Sequence, residues 1–510
     1  MKLIHVLIVS LPCLSVFAAN EPETKAPLPP TQLEYIEPDW SPIGDGNYSP
    51  WMPDEDGDPV WNPTKAYNTW IDSIPDEDKA WPILVDLRYK YDALFSNRFL
   101  WVFAEDVGED WDEDGVDDWQ QISELYASTD IKPIVERLLE ALSKPHMGYT
   151  LHIGTDPVSQ EVLLRYGLDD EIENKEGANP NVFSCLKEDH GIMRRKSQFM
   201  ASYLSYQVEQ GNTEQFADRF AIGYRSSLLV EDWPSILSTL TAMGNQSRFL
   251  DLLRWTLYTH SDQLTDDQLV TLDRVIENST AHQVQTISDQ LEFHDIARRI
   301  YNFPEMKNWS DTDWDGPPIS IHYDELPKAV RTVITLYDIV MHDAHKSSLL
   351  HQNDDTEPKW YVEMDDFETL DYPIESIGRM LLGMMMPAVD KATSRTRRHR
   401  ANAQAMRLAI AAHRHKLRHG SFPKSIEHFN QDLIGFEFID PFVGGDLLYR
   451  LDPETGPMIY AKGYDNDDDQ GRHGLDIFLE TKKIDGDFLY YPNPWTTQNF
   501  PEDEDDECCD

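Results

Sequence analysis

Cysteine is scarce in this chain of 510 residues: there are four, at positions 13, 185, 508 and 509. So sparse a set excludes a disulfide framework as the main support of the fold. Cations are scarce too, with 44 Lys and Arg against 92 Asp and Glu, a net charge of −48. A surface of that sign repels nucleic-acid phosphates and anionic lipid, so nucleic acid is excluded as an expected partner. Beyond the N-terminal segment no stretch approaches the roughly 18 consecutive apolar residues of a bilayer span. The spacings Gly-x-Ser-x-Gly, His-Glu-x-x-His and Gly-x-x-x-x-Gly-Lys-Ser/Thr do not occur. None of the chemistries that those spacings build is therefore signalled.

What is present is enough to build a core. The chain holds 14 Trp, 22 Tyr and 20 Phe, and its length gives a soft prior of about three domains. Met1-Lys2 leads an apolar stretch from Leu3 to Phe17, followed by Ala18. A positive start, a short apolar run and a small residue at the cut describe a secretory signal peptide over 1–18. The mature protein is therefore expected to be secreted or periplasmic, soluble, and without a membrane span.

Residues 19–80 are rich in Pro, Asp and Trp, as in Glu37-Pro-Asp-Trp40 and Val60-Trp-Asn-Pro63. Each proline removes a donor and pushes its predecessor out of the helical region. That spacing predicts an extended arm whose aromatics pin it to the rest of the protein. From 81 to 388 the helical period dominates. Ile134, Val135, Leu138, Leu139 and Leu142 form one stripe, and Thr265-Asp-Asp-Gln268 reads as a capping box. Helices are expected near 131–143, 192–210, 213–229, 234–258, 266–278, 281–301, 325–350 and 372–387, joined as an antiparallel array by short links such as Gln210-Gly-Asn-Thr213.

At about 389 the composition changes sign. Lys391 to Lys424 holds ten Lys or Arg and no Asp or Glu. Ala405, Leu408, Ala409, Ala412 and Leu417 supply the apolar side of an amphipathic helix there, and His419-Gly420 is the expected stop. The cations have an internal partner at hand, so this helix is expected to pack against the acidic helical domain. Short runs at 433–438, 447–450, 458–461 and 476–480, separated by Gly, Pro and Asp, read as strands of a small antiparallel sheet. An acidic, disordered tail is expected at 501–510. The fold class is mainly α, an antiparallel helical array followed by a small α+β module over 389–500.

One local motif points to a metal. In Asp110-Trp-Asp112-Glu-Asp114-Gly115-Val-Asp117-Asp118 alternating carboxylates precede a glycine that permits a sharp turn. That pattern resembles EF-hand, thrombospondin type 3 and dockerin-like calcium loops, with Asp110, Asp112, Asp114 and Asp118 as candidate ligands. Its twelfth position is Gln121 rather than Glu, so the affinity expected is modest and suits extracellular calcium. Asp311-Thr-Asp313-Trp-Asp315-Gly316 begins alike but runs at once into Pro317-Pro318.

The C-terminal region carries a family resemblance. A helix over 398–419, then Gly420-Ser-Phe-Pro423, Asp440-Pro441-Phe442, Ile459-Tyr460-Ala-Lys-Gly463-Tyr-Asp465 and a closing Asp476-Ile477 resemble the globular part of type II secretion major pseudopilins. The match spans about 85 residues, and the hydrophobic assembly helix of that family has no counterpart, since the helix here is basic and begins in mid-chain. The resemblance implies a long helix packed on a small sheet and a structural calcium held by the acidic loop, with Asp465, Asp467, Asp468 and Asp476 as candidates.

Catalytic constellations are few. His342-Asp-Ala-His345 with His351 reads as surface or core histidine more readily than as a metal site. In His413-Arg-His415-Lys-x-x-His419 neighbouring cations lower imidazole basicity and repel a metal, which favours a charged docking face. The leading reading is a secreted, noncatalytic calcium-binding protein with an interaction or envelope-structural role and a protein partner in the envelope. Two alternatives stay open: a secreted hydrolase acting on glycans, whose paired carboxylates sequence alone does not identify among 92, and an accessory to a type II-like secretion system.

Overall fold

The computed structural model describes residues 42–43, 47–48, 70–95, 117–150, 188–232, 235–280, 376–429, 438–440, 445–453, 455–462, 468–471 and 487–492. These residues are mostly helical, with one small three-stranded antiparallel sheet. In chain order the helices are α1 Trp81–Phe95, α2 Asp118–Ala127, α3 Ile131–Leu142, α4 Glu188–Glu209, α5 Phe216–Ser226, α6 Ile236–His260, α7 Asp266–Ser279 and α8 Ser376–His419. Pro42–Ile43 pairs with Asn47–Tyr48 as a two-residue ladder, β1 and β2. The main sheet holds β3 Leu448–Asp452, β4 Gly456–Ala461 and β5 Phe488–Tyr491 in sequential order. No helix among the described residues is long and apolar enough to cross a membrane.

The helix signals act where local physics places them. Thr265 caps α7: its hydroxyl accepts from the Gln268 N–H at 3.2 Å while the Gln268 side chain accepts from the Thr265 N–H at 2.9 Å. Two orphan donors are satisfied together, and Leu269, Leu272 and Ile276 are then delivered to the core. Ile134, Val135, Leu138 and Leu142 of α3 are buried as their spacing requires. α8 ends as expected: Gly420 takes φ +77°, and its N–H donates to the Lys416 carbonyl at 2.7 Å, the left-handed cap.

α6 lies at the centre, packed against α4 on one side and α8 on the other, while α5 and α8 both cover α7. Phe220 of α5 is the hub of the aromatic packing, stacked on Tyr224 at 5.7 Å and edge-on to Phe249 of α6 at 5.8 Å. One connected apolar core runs from Ile71 to Tyr491. The last residues of the expected arm join it: Ile71 and Ile74 are buried, and Trp70 meets the His146 ring edge-on at 5.5 Å.

The basic helix packs on the acidic array as its charge predicts. Arg407 of α8 donates to Asp273 at 2.7 Å and Glu277 at 2.9 Å, and Arg414 and Arg418 both donate to Asp266 at 2.8 and 2.7 Å. α8 runs unbroken across residue 389, where the composition turns. Its burial is broader than the expected stripe, since Ala401, Met406, Ile410 and Ala411 are covered along with Ala405, Leu408, Ala409 and Ala412. Leu417, placed in that stripe, is instead 47% exposed, because it lies in the last turn, beyond the neighbours that cover the helix. Arg254 of α6 fastens the sheet to the helices, donating to the Tyr490 carbonyl at 2.6 Å, to Asp251 at 2.6 Å and to Asn402 of α8 at 2.8 Å.

β3 and β4 form where the sequence places them. Phe438 stands beside a single bridge between Ile439 and Asp446. The rest of the expected strand at 433–438, and that at 476–480, lie outside the described residues, as do the expected helices at 281–301 and 325–350. β5 was not foreseen; all four of its residues are buried, so it has no alternation of the kind that marks a half-buried strand.

Candidate functional site

Past β4 the chain turns back on itself at Gln470, φ +61°, and Gly471, φ +83°. Glycine suits the second position because its φ is left-handed, and a Cβ there would also press on Met458 Cε at 2.7 Å and Tyr460 Cδ1 at 3.3 Å. This turn carries Asp468 and Asp469 to the start of β5, beside Asp487. The Tyr460 hydroxyl donates to Asp468 Oδ1 at 3.1 Å, and the Gln470 N–H donates to the same oxygen at 2.9 Å. The Gly471 N–H donates to Asp487 Oδ2 at 2.6 Å.

Asp487 is the unusual member. It is 1% exposed, and its Oδ1 accepts no hydrogen bond among the described residues. Its carboxyl is pushed up to about 6, first by burial and then by the charges of Asp468 and Asp469, against the pull of the backbone N–H groups of Gly471 and Asp469. Burial and the same Asp468 charge also push the Tyr460 phenol up, which keeps it a donor. The three carboxylates thus concentrate negative charge at a partly buried corner, which burial makes costly. Among the described residues no three His, Cys, Asp or Glu side chains form a complete metal-binding group. Asp465 and Asp467, expected to contribute, belong to the residues leading into this turn.

Of the eight residues expected to hold calcium, Asp468 stands in this corner, and Asp465, Asp467 and Asp476 lie outside the described residues. So do Asp110, Asp112 and Asp114. Asp118 is the first residue of α2, fully buried, next to Asp117, whose carboxylate caps that helix by accepting from the Trp119 and Gln120 N–H groups at 2.9 and 3.2 Å. Sequence reasoning missed Asp487. Its one signal is Asp485-Gly486-Asp487, a carboxylate entering a wholly apolar run.

The other chemistry-bearing groups are elsewhere. His413 does not face solvent with His415 and His419: it turns inward, its Nε2 joined to the Tyr491 hydroxyl at 2.8 Å, and burial first and Lys416 second lower it to about 3. The lowered basicity agrees with the sequence, but a docking face would need the ring at the surface, and the aromatic neighbours on β5 and after α8 draw it in. A cavity of about 420 Å³ opens beside this pair, between α6, α8 and the β3–β4 turn. At the start of α6, His190 Nε2 lies 3.0 Å from Ser238 Oγ, which lies 2.8 Å from Ser235 Oγ. All three are buried, and Ser235 caps the helix through the Ser238 N–H, so this histidine–serine chain secures a helix start. The expected His342, His345 and His351 lie outside the described residues.

No family model, no curated protein and no solved structure matches this chain.

Proposed function

We propose that this is a secreted calcium-binding protein that works by binding rather than by catalysis, with an interaction or envelope-structural role. The observation that carries the reading is the buried Asp487 carboxylate, crowded by Asp468 and Asp469, one of whose oxygens accepts no hydrogen bond among the described residues. Calcium takes six to eight oxygen ligands at flexible geometry, whereas magnesium demands a tight octahedron and keeps its water. Asp487 and Asp468 would hold the ion, with Asp465, Asp467 and Asp476 the further ligands that the pseudopilin resemblance implies. The signal-peptide pattern supports secretion. The long helix followed by a three-stranded antiparallel sheet supports the likeness to pseudopilin globular parts.

Two further observations favour binding over glycan hydrolysis. Asp487 has a basicity suited to acid–base work, but at 1% exposure it is out of a sugar's reach. His413 and Tyr491 line an open cavity, but one is held neutral far below neutral pH and the other is pushed up by burial, so neither exchanges a proton there. The test is thermal unfolding of the mature protein in chelator, in millimolar calcium and in millimolar magnesium. Calcium raises the melting temperature more than magnesium does, and Asp468→Asn with Asp487→Asn removes part of that increment. Equal effects of the two ions, or an increment untouched by the substitutions, would overturn the proposal.

A further inference from the structure

The cavity beside His413 shares no residue with the acidic corner, and its walls have a consistent chemistry. Tyr258, at the end of α6, offers a ring that is 39% exposed, and Phe422 and Pro457 supply further apolar wall. Ser261 and Thr455 bring hydroxyl groups, and Lys416 brings an ammonium that rests 4.6 Å from the centre of the Phe422 ring. Asp452 is the carboxylate on the lining, and it is already engaged: the Thr455 N–H donates to one oxygen at 2.9 Å and Arg450 to the other at 3.2 Å.

The charges decide what fits. Arg450 offsets Asp452, and the Lys416 ammonium rests against the Phe422 ring, so the lining carries at most one positive charge. A free anion approaches a chain of −48 against its field, and a cation would meet the Lys416 ammonium. The floor is the His413–Tyr491 pair. Burial holds the imidazole neutral, with a basicity of about 3, and keeps the phenol protonated. The pair satisfies itself and carries no charge, so an ion set against this floor would go uncompensated. Volume narrows the choice again. About 420 Å³ is at the small end of ligand pockets, room for one or two rings. Aromatic faces accept the C–H face of a ring, while hydroxyl and ammonium groups at the rim accept and donate around its edge.

We infer that this cavity binds a neutral sugar unit of a glycan, stacked on Tyr258 and Phe422 with its hydroxyls directed to Lys416, Ser261 and Thr455. The binding is noncatalytic and independent of calcium.

The experiment is saturation-transfer NMR on the full mature chain with three neutral probes, the β-1,4 trimers of glucose and of N-acetylglucosamine and the α-1,4 trimer of glucose. A galacturonate trimer and a proline-rich decapeptide are the comparisons. At least one neutral trimer receives saturation on its ring protons at millimolar concentration. Tyr258→Ala and Lys416→Met each weaken that binding about tenfold, the equivalent of one lost stacking or charged contact, while Tyr258→Phe, which keeps the ring, leaves it within about twofold. Tyr258 and Lys416 are exposed, so these variants keep the parental melting temperature. No transfer to any neutral trimer, transfer that survives both Tyr258→Ala and Lys416→Met, or tighter binding of galacturonate or of the peptide would each overturn the inference.

Discussion

Replacing Asp487 by Asn removes a charge while keeping the shape of the side chain and its acceptor for the Gly471 N–H. The wild-type carboxyl rises from an ordinary 3.8 to about 6 on folding, so the native state binds more protons than the unfolded state between those values. Stability contributed by the protonated form is present below about pH 4 and is lost as pH rises towards 6. Taken whole, the shift corresponds to about 3 kcal/mol. Asp468 is exposed and Asp469 half-buried, so solvent screens their repulsion and the usable figure is about 1–2 kcal/mol. In chelator at pH 7.5, Asp487→Asn is therefore more stable than wild type. With about 2.1 cal/mol/K per residue, that is roughly 1–2 °C if the whole chain melts together. The gap closes as the pH is lowered to 4, and millimolar calcium narrows it at pH 7.5, because the ion neutralises the charge that the substitution deletes. Differential scanning calorimetry across pH, with and without calcium, reads all three effects. A variant less stable than wild type in chelator, by an amount that does not change with pH, would show that the carboxylate is needed as a charged acceptor and is not crowded.

The helix-to-helix ion pairs give a second prediction: Arg414→Met with Arg418→Met lowers stability by about 1 kcal/mol at low salt, since the shared Asp266 is partly open to solvent, which screens the pairs, and the loss shrinks in 1 M salt. Those two arginines also hold Asp266 below the ordinary carboxylate range against the upward push of its partial burial, so their contribution is present above about pH 4 and lost as the pH falls further. Thr265→Ala removes the α7 cap and costs about 1 kcal/mol, readable in a denaturant titration, whereas Thr265→Ser is nearly neutral. Gly223→Ala would place a Cβ 2.4 Å from Phe249 Cζ, and forcing that ring aside costs about 1–3 kcal/mol; a variant as stable as wild type would contradict the close packing of α5 on α6.

The parts of the fold legible in the sequence are those set by neighbours within a turn or two. The Thr265 cap, the α3 stripe, the Gly420 stop and the β3 and β4 runs all express local rules, and they stand where the spacing places them. Charge segregation also carried long-range information, because ten cations in an acidic chain leave few places for α8 to lie. What stayed hidden depends on distant packing. Phe488–Tyr491 becomes a strand by pairing with β4, roughly thirty residues earlier, and its uniform burial erases the period-two signal. His413 has the same local surroundings as His415, yet Tyr491 and Phe422 draw only the first inside. Asp468 was expected at a calcium site from its loop, but Asp487 is separated from it by a span of chain that no motif bridges.

Calcium at the corner built by Asp468 and Asp487 is measured by isothermal titration of the ion into the chelator-treated protein. At pH 7.5 the account predicts millimolar or tighter uptake, of which one equivalent disappears in the Asp468→Asn, Asp487→Asn double variant. That same equivalent binds about tenfold more weakly at pH 5, where a carboxyl titrating near 6 is mostly protonated and must release its proton to bind metal. No heat of calcium binding up to several millimolar, or a stoichiometry identical in wild type and the double variant, would contradict it.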